Sequence, residues 1–131
     1  MSRPVRVDFG KGNGSSHTDV RAAERRFNRS QIAAAVIDGV VIEFRDAASG
    51  FDGPTAPAGH DGGFTRLSDW TRKGKAVVLA TVNRRPVHVV VVIDAVTSIV
   101  EARTVTVYEP APERWDVESG FAVRLRQEVA A

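Results

Sequence analysis

The chain has no cysteine, so it can build neither a disulfide framework nor a thiolate metal site, and nothing in it speaks for an oxidising compartment. It also lacks a long apolar run: the longest, Val87 to Ile93, is interrupted by His88 and falls far short of a membrane span. Met1-Ser2-Arg3-Pro4-Val5-Arg6 carries no signal-peptide core, so a cytoplasmic protein, or one delivered into the cytoplasm of a target cell, is expected, with no membrane partner. Metal-ligand spacing is missing as well, since His60-Asp61 has no second ligand pair, and no metal or other cofactor is expected. Gly10-Lys11-Gly12-Asn13-Gly14-Ser15 lacks both the Walker spacing and a clear apolar strand before it, which argues against a nucleotide loop.

What is present fits one ordinary domain. The sequence has 131 residues, 43% hydrophobic and 26% charged, which is enough to bury a sizeable core without staples. A single domain over 1–131 is expected, with a flexible lead-in at 1–16 and a long loop insertion at 46–75. The net charge of +2 and a pI near 9.5 permit an anionic partner without demanding one.

Two helices are expected early. From His17, Val20, Ala23 and Phe27 recur at helical spacing behind a Ser16/Asp19 cap. Asn28 with Gln31 repeats the capping pattern, and Ile32, Ala35 and Val36 form a second apolar stripe ending at Gly39, a suitable residue just past a helix C-terminus. Strands follow over Val40–Arg45, with Glu43 and Arg45 outward, then over 75–82 and 86–93 joined by Asn83-Arg84-Arg85 as a hairpin, then over 103–109. Between 46 and 75, Gly and Pro prevent regular structure in the first half, while Phe64, Leu67 and Trp70 are placed to pin the second. The tail from Pro112 has no clear period, and Ala122 to Val129 reads either as a short helix or as a last strand.

His17, Arg21 and Arg25 at four-residue spacing, then Phe27, Ile32 and Gly39, then Pro86-Val87-His88-Val89-Val90 and Thr106-Val107-Tyr108-Glu109-Pro110 with Trp115, resemble in order the bacterial domain of unknown function 4258 family. The resemblance covers roughly residues 17–45 and 76–115; the 46–75 insertion and the glycine-rich lead-in depart from it. It implies an α+β fold, with an N-terminal helix pair packed on an antiparallel β meander like that of RelE-type toxins and barnase. By that likeness it also implies a toxin-like, metal-independent endoribonuclease with RNA as substrate and a cognate antitoxin or immunity protein as partner. The alternative is a non-catalytic RNA- or protein-binding module of such a toxin–antitoxin or toxin–immunity system.

The residues suit that chemistry. Cleavage without a metal needs a proton acceptor, a proton donor and cations around a phosphorane-like transition state, and imidazole and guanidinium fill these roles. His17, Arg21 and Arg25 form one stripe on a helix, with His17 as general acid or base and the arginines as phosphate clamps. His88, Thr106 and Tyr108 would join them if that helix lies across the sheet. Lys73, Lys75, Arg84 and Arg85 are the candidates for binding the substrate backbone. Against these stand plainer readings: a solvated helix face for the first group, a satisfied core histidine with ordinary β-formers for the second, and solvated surface for the third.

Overall fold

The computed structural model describes residues 3–9, 27–49, 55–59, 63–95 and 98–125. Over these residues it contains one α-helix, α1 (Arg29–Asp38), and seven strands: β1 (Val5–Asp8), β2 (Val40–Asp46), β3 (Ala56–Pro57), β4 (Thr65–Arg66), β5 (Gly74–Val82), β6 (Arg85–Ala95) and β7 (Val100–Tyr108). They form one sheet in the order β1-β7-β6-β5-β2-β3, with β4 also paired to β2. Every pairing is antiparallel except that of β1 with β7.

The expected α+β layout, a helix pair on a β meander, is therefore corrected. Of the described residues 49% are strand and 16% helical, and only one α-helix is among them. The helix expected from His17 falls almost wholly outside the described residues, and its end, Phe27, is buried in the core. Long β-branched runs account for the strand content: Val and Ile lose rotamer freedom in a helix and pack well on a pleated surface.

α1 forms where the sequence places it. Asn28 accepts from the Gln31 backbone N–H at 2.8 Å and Gln31 accepts from the Asn28 N–H at 3.0 Å, a reciprocal cap. Ile32, Ala35 and Val36 are buried against the sheet. At the other end Gly39 is extended and not left-handed, so it is required for space and not for a turn. A Cβ there would stand 2.6 Å from both the Leu79 carbonyl oxygen and Val78 Cγ1. The β5–β6 hairpin turns through Asn83 and Arg84 at φ 51° and 66°, the twisted two-residue turn that suits right-handed strands.

Two other expectations change. The lead-in contains a strand, β1, whose Val5 and Val7 pack on the core. The 46–75 stretch is not a bare loop: β3 and β4 both pair with β2, and Leu67 and Trp70 are buried, with Trp70 edge-on to Phe44 at 4.8 Å; Phe64 stays 37% exposed.

The sheet has a layer on each side. One face carries the main core, where α1, Leu67 and Trp70 meet Val78, Val87, Val89, Val91 and Val107. The other face is covered over half its length by the C-terminal segment 111–125, which follows Pro110 as a series of turns. That segment closes on itself through an isolated bridge between Trp115 and Arg124; of the stretch from Ala122 to Val129 expected as a helix or a strand, only 122–125 lies within the described residues, and that part forms neither. Trp115 and Ala122 descend from it onto Ile42, Val77 and Val90. No helix among the described residues is long and apolar enough to cross a membrane.

Candidate functional site

Strand register organises the second face into rows that run across the sheet. Counted from the hairpin, the first row to cross four strands is Val40, Leu79, His88, Tyr108. Next comes Glu43, Val77, Val90, Thr106, and then Arg45, Lys75, Val92, Arg103, Asp8. Two β-bulges hold these rows in line. Val41 pairs with Val78 and Glu43 with Val77, so β2 carries Ile42 as an extra residue; β7 likewise carries Val105 between Thr104 and Thr106. A bulge re-aims the side chains around it, and in β2 it sends both Ile42 and Glu43 toward the C-terminal segment. Glu43 is thus 3% exposed, where plain alternation placed it outward.

His88 is the centre of the covered half. It is fully buried, with Nε2 2.8 Å from the Phe121 carbonyl oxygen and Nδ1 3.2 Å from the Tyr108 hydroxyl. A carbonyl only accepts, so Nε2 carries the proton and donates to Phe121, and Nδ1 accepts from Tyr108. The Trp115 ring stands edge-on to the imidazole at 4.2 Å between centroids, and Tyr108 does so at 5.2 Å. Burial holds the His88 pKa down to about 4, since a charged imidazole would lose its hydration there; the Phe121 carbonyl and Glu43 oppose the shift only in part. The same burial pushes the Tyr108 phenol up to about 12.

Beside this pair lies an ion pair whose carboxylate is buried and whose guanidinium is half exposed. Arg124 donates from Nη2 to Glu43 Oε1 at 2.9 Å and from Nε to Oε2 at 3.1 Å, the two-pronged geometry that suits guanidinium and carboxylate. Thr55 Oγ1 donates to the same carboxylate at 2.7 Å, and the Arg124 guanidinium stacks over Trp115 at 4.6 Å. The bond to Glu43 raises the Arg124 pKa. The segment is thus held by a hydrogen bond to a histidine, a fork to a carboxylate and a stacked indole.

The sequence-nominated residues divide as follows. His17, Arg21 and Arg25 lie outside the described residues. His88 and Tyr108 meet directly, as the plainer reading of a satisfied core histidine has it, while Thr106 sits one row away on the same face and bonds to neither. Lys73 pairs with Asp94 at 3.3 Å and Arg85 with Glu109 at 3.3 Å, both at the surface, where such pairs contribute little. Arg84 is exposed at the hairpin turn, and Lys75 stands in the third row of the sheet face. Sequence reasoning missed Glu43 and Arg124. The available signal was a lone carboxylate inside Val40-Val41-Ile42-Glu43-Phe44, a position that a strand buried on both faces tolerates only with a partner.

Comparison with protein families, with curated proteins and with solved structures finds no match to the chain. The resemblance to the domain of unknown function 4258 family therefore rests on the quoted residues alone.

Proposed function

We propose that the domain is an RNA-directed module of the toxin type that works by binding, with the sheet histidine serving structure and not proton transfer. The observation that carries this reading is the environment of His88. Both ring nitrogens are engaged inside the protein, and the pKa is held near 4. A general base for a ribose hydroxyl needs a nitrogen directed at the substrate and a pKa close to the working pH. RNA is favoured as ligand by the basic balance of the chain, with a pI near 9.5.

The cleaving reading stays second. It is favoured by the spacing of His17, Arg21 and Arg25, which on a helix sets an imidazole beside two phosphate clamps. Incubating purified protein with end-labelled single-stranded RNA in the presence of a metal chelator separates the two. Full-length RNA that migrates with the protein in a native gel supports binding. Shortened products that disappear with His17→Ala transfer the function to a metal-independent nuclease, and neither a mobility shift nor shortening at low salt removes RNA as the ligand.

A further inference from the structure

We propose that the cavity between the end of α1 and the β5–β6 hairpin receives an extended, basic segment of a partner protein, whose backbone continues the sheet at Thr81 and whose guanidinium or ammonium group goes to Asp38. This does not rest on the RNA-binding reading.

The cavity follows from local sequence. Gln31, Ala34, Ala35 and Asp38 recur at i, i+3, i+4 and i+7, so α1 turns a face of small and polar side chains toward the hairpin, beside its Ile32 and Val36 stripe. Alanine fills little of the space between helix and hairpin, and a cavity of about 580 Å³ stays open there, with Leu79, Val82 and Pro86 among its apolar walls. That volume falls within the range of ligand sites. Ala34, Asp38, Thr81 and Asn83, which all line it, are exposed, so its mouth opens to solvent.

Backbone direction supplies the first means of recognition. β2 begins at Val40, opposite Leu79, and the chain before it turns away into α1, so Ala80 to Val82 pair with no described strand on that side. The two-residue hairpin is closed by Val82 and Arg85, so Val82, Ala80 and Val78 direct their N–H and C=O groups to β6 and the residues between them direct theirs the other way. The Leu79 carbonyl oxygen agrees, since it stands 2.6 Å from the place a Cβ on Gly39 would take. Thr81 therefore turns one donor and one acceptor toward the cavity, the pair that an added strand would meet.

Charge supplies the second. Of the residues that line the cavity, Asp38 alone is charged. It occupies the last position of α1, where the helix dipole is already negative and no basic residue stands in the last turn, and it forms no hydrogen bond or ion pair with a described residue. A cation seated there meets both the carboxylate and the helix end. Arg84 and Arg85 at the turn do not line the cavity, and Arg85 is paired with Glu109. The methylene stem of an arginine or a lysine suits the apolar wall.

The test titrates the full chain, labelled with nitrogen-15, with acetyl-valyl-arginyl-valine amide, with the same peptide carrying citrulline in place of arginine, and with agmatine, following the amide signals. The arginine peptide is expected to move the Thr81 and Asp38 signals together and to slow hydrogen exchange at Thr81. Asp38→Asn should weaken it about tenfold, the size of one charge-assisted hydrogen bond. Ala34→Leu, a helix-compatible change at an exposed position, fills the cavity and should abolish binding. Glu113→Gln, at an exposed carboxylate off the cavity, should bind like wild type, and a melting curve checks the fold of each variant. Equal binding of the citrulline peptide, equal losses in Asp38→Asn and Glu113→Gln, or no binding by wild type overturns the proposal. Agmatine bound as tightly as the peptide, with Thr81 unmoved, overturns it in favour of a free cation. Thr81 signals that shift with protein concentration alone overturn it in favour of a second copy of the chain.

Discussion

Toward α1 the sheet presents Val41, Val78, Val87, Val89, Val91 and Val107, all buried and all apolar, whereas toward the C-terminal segment it presents Ile42, Val77 and Val90 together with His88, Tyr108 and Glu43. The first face is closed by a regular element whose stripe fits a flat valine surface, and the energy lies in apolar area removed from water. The second is closed by a segment with almost no regular structure of its own. What holds it is a small set of directed bonds, from His88 to Phe121 and from Arg124 to Glu43, with Trp115 packed among them. Non-directional packing tolerates apolar exchange and responds little to pH; directed bonds to ionisable groups respond to both exchange and pH.

The contrast can be broken from either side. Ile32→Ala removes the central side chain of the α1 stripe, which is fully buried, and should cost about 4 kcal/mol in urea unfolding with no change in the pH profile of stability. On the second face the histidine sets a pH dependence. Its folded pKa, near 4, lies below the value of 6.5 for a free imidazole, so between those values the unfolded chain binds the extra proton. Its contribution is complete above pH 6.5 and is lost as pH falls toward 4, a difference of about 3 kcal/mol. Urea midpoints of wild type and His88→Gln should therefore converge as pH falls through that window; parallel curves would mean that His88 is not sealed by the segment.

The smallest of these effects comes from the fork. Arg124→Ala leaves the Glu43 carboxylate with Thr55 as its remaining side-chain partner, and since Arg124 itself is half exposed the cost should be about 2 kcal/mol, below that of a fully buried pair. Hydrogen exchange should report it as faster exchange at Asp116, Phe121 and Leu125, whose N–H groups tie the segment to itself, with α1 unchanged. Loss of protection in α1 as well would mean that the two faces unfold as one unit.

Elements set by neighbours in the chain could be read from the sequence. The Asn28/Gln31 cap and the Ile32, Ala35, Val36 stripe specify α1, and two valine-rich runs around Asn83-Arg84 specify the hairpin. Features that depend on distant partners could not. β1 has only four residues and exists because it finds β7 nearly a hundred residues later. The bulge at Ile42 is a matter of register against β5, invisible in a run of apolar residues, and without it Glu43 reads as outward. The segment after Pro110 has no period because turns and side-chain bonds shape it. At the candidate site, residue types were legible and their state was not: His88 and Tyr108 stood out as polar interruptions, but only the covering segment decides that they lie buried against each other and that His88 bonds to the Phe121 carbonyl.

The sequence by itself determined the material of this protein: β-branched runs that make strands, the capped helix that follows Asn28, no cysteine to staple them, and a basic balance of charge. The tertiary structure alone decided which side of the strands each polar residue takes and what lies over it. Alternation assigns residues to two faces, but a single inserted residue exchanges those faces, and the cost of burying a histidine or a carboxylate is settled by partners that arrive from far along the chain. That is why the stretch of β5 at Thr81 that extends past β2, beside Asp38 at the end of α1, comes into view only once the register is fixed.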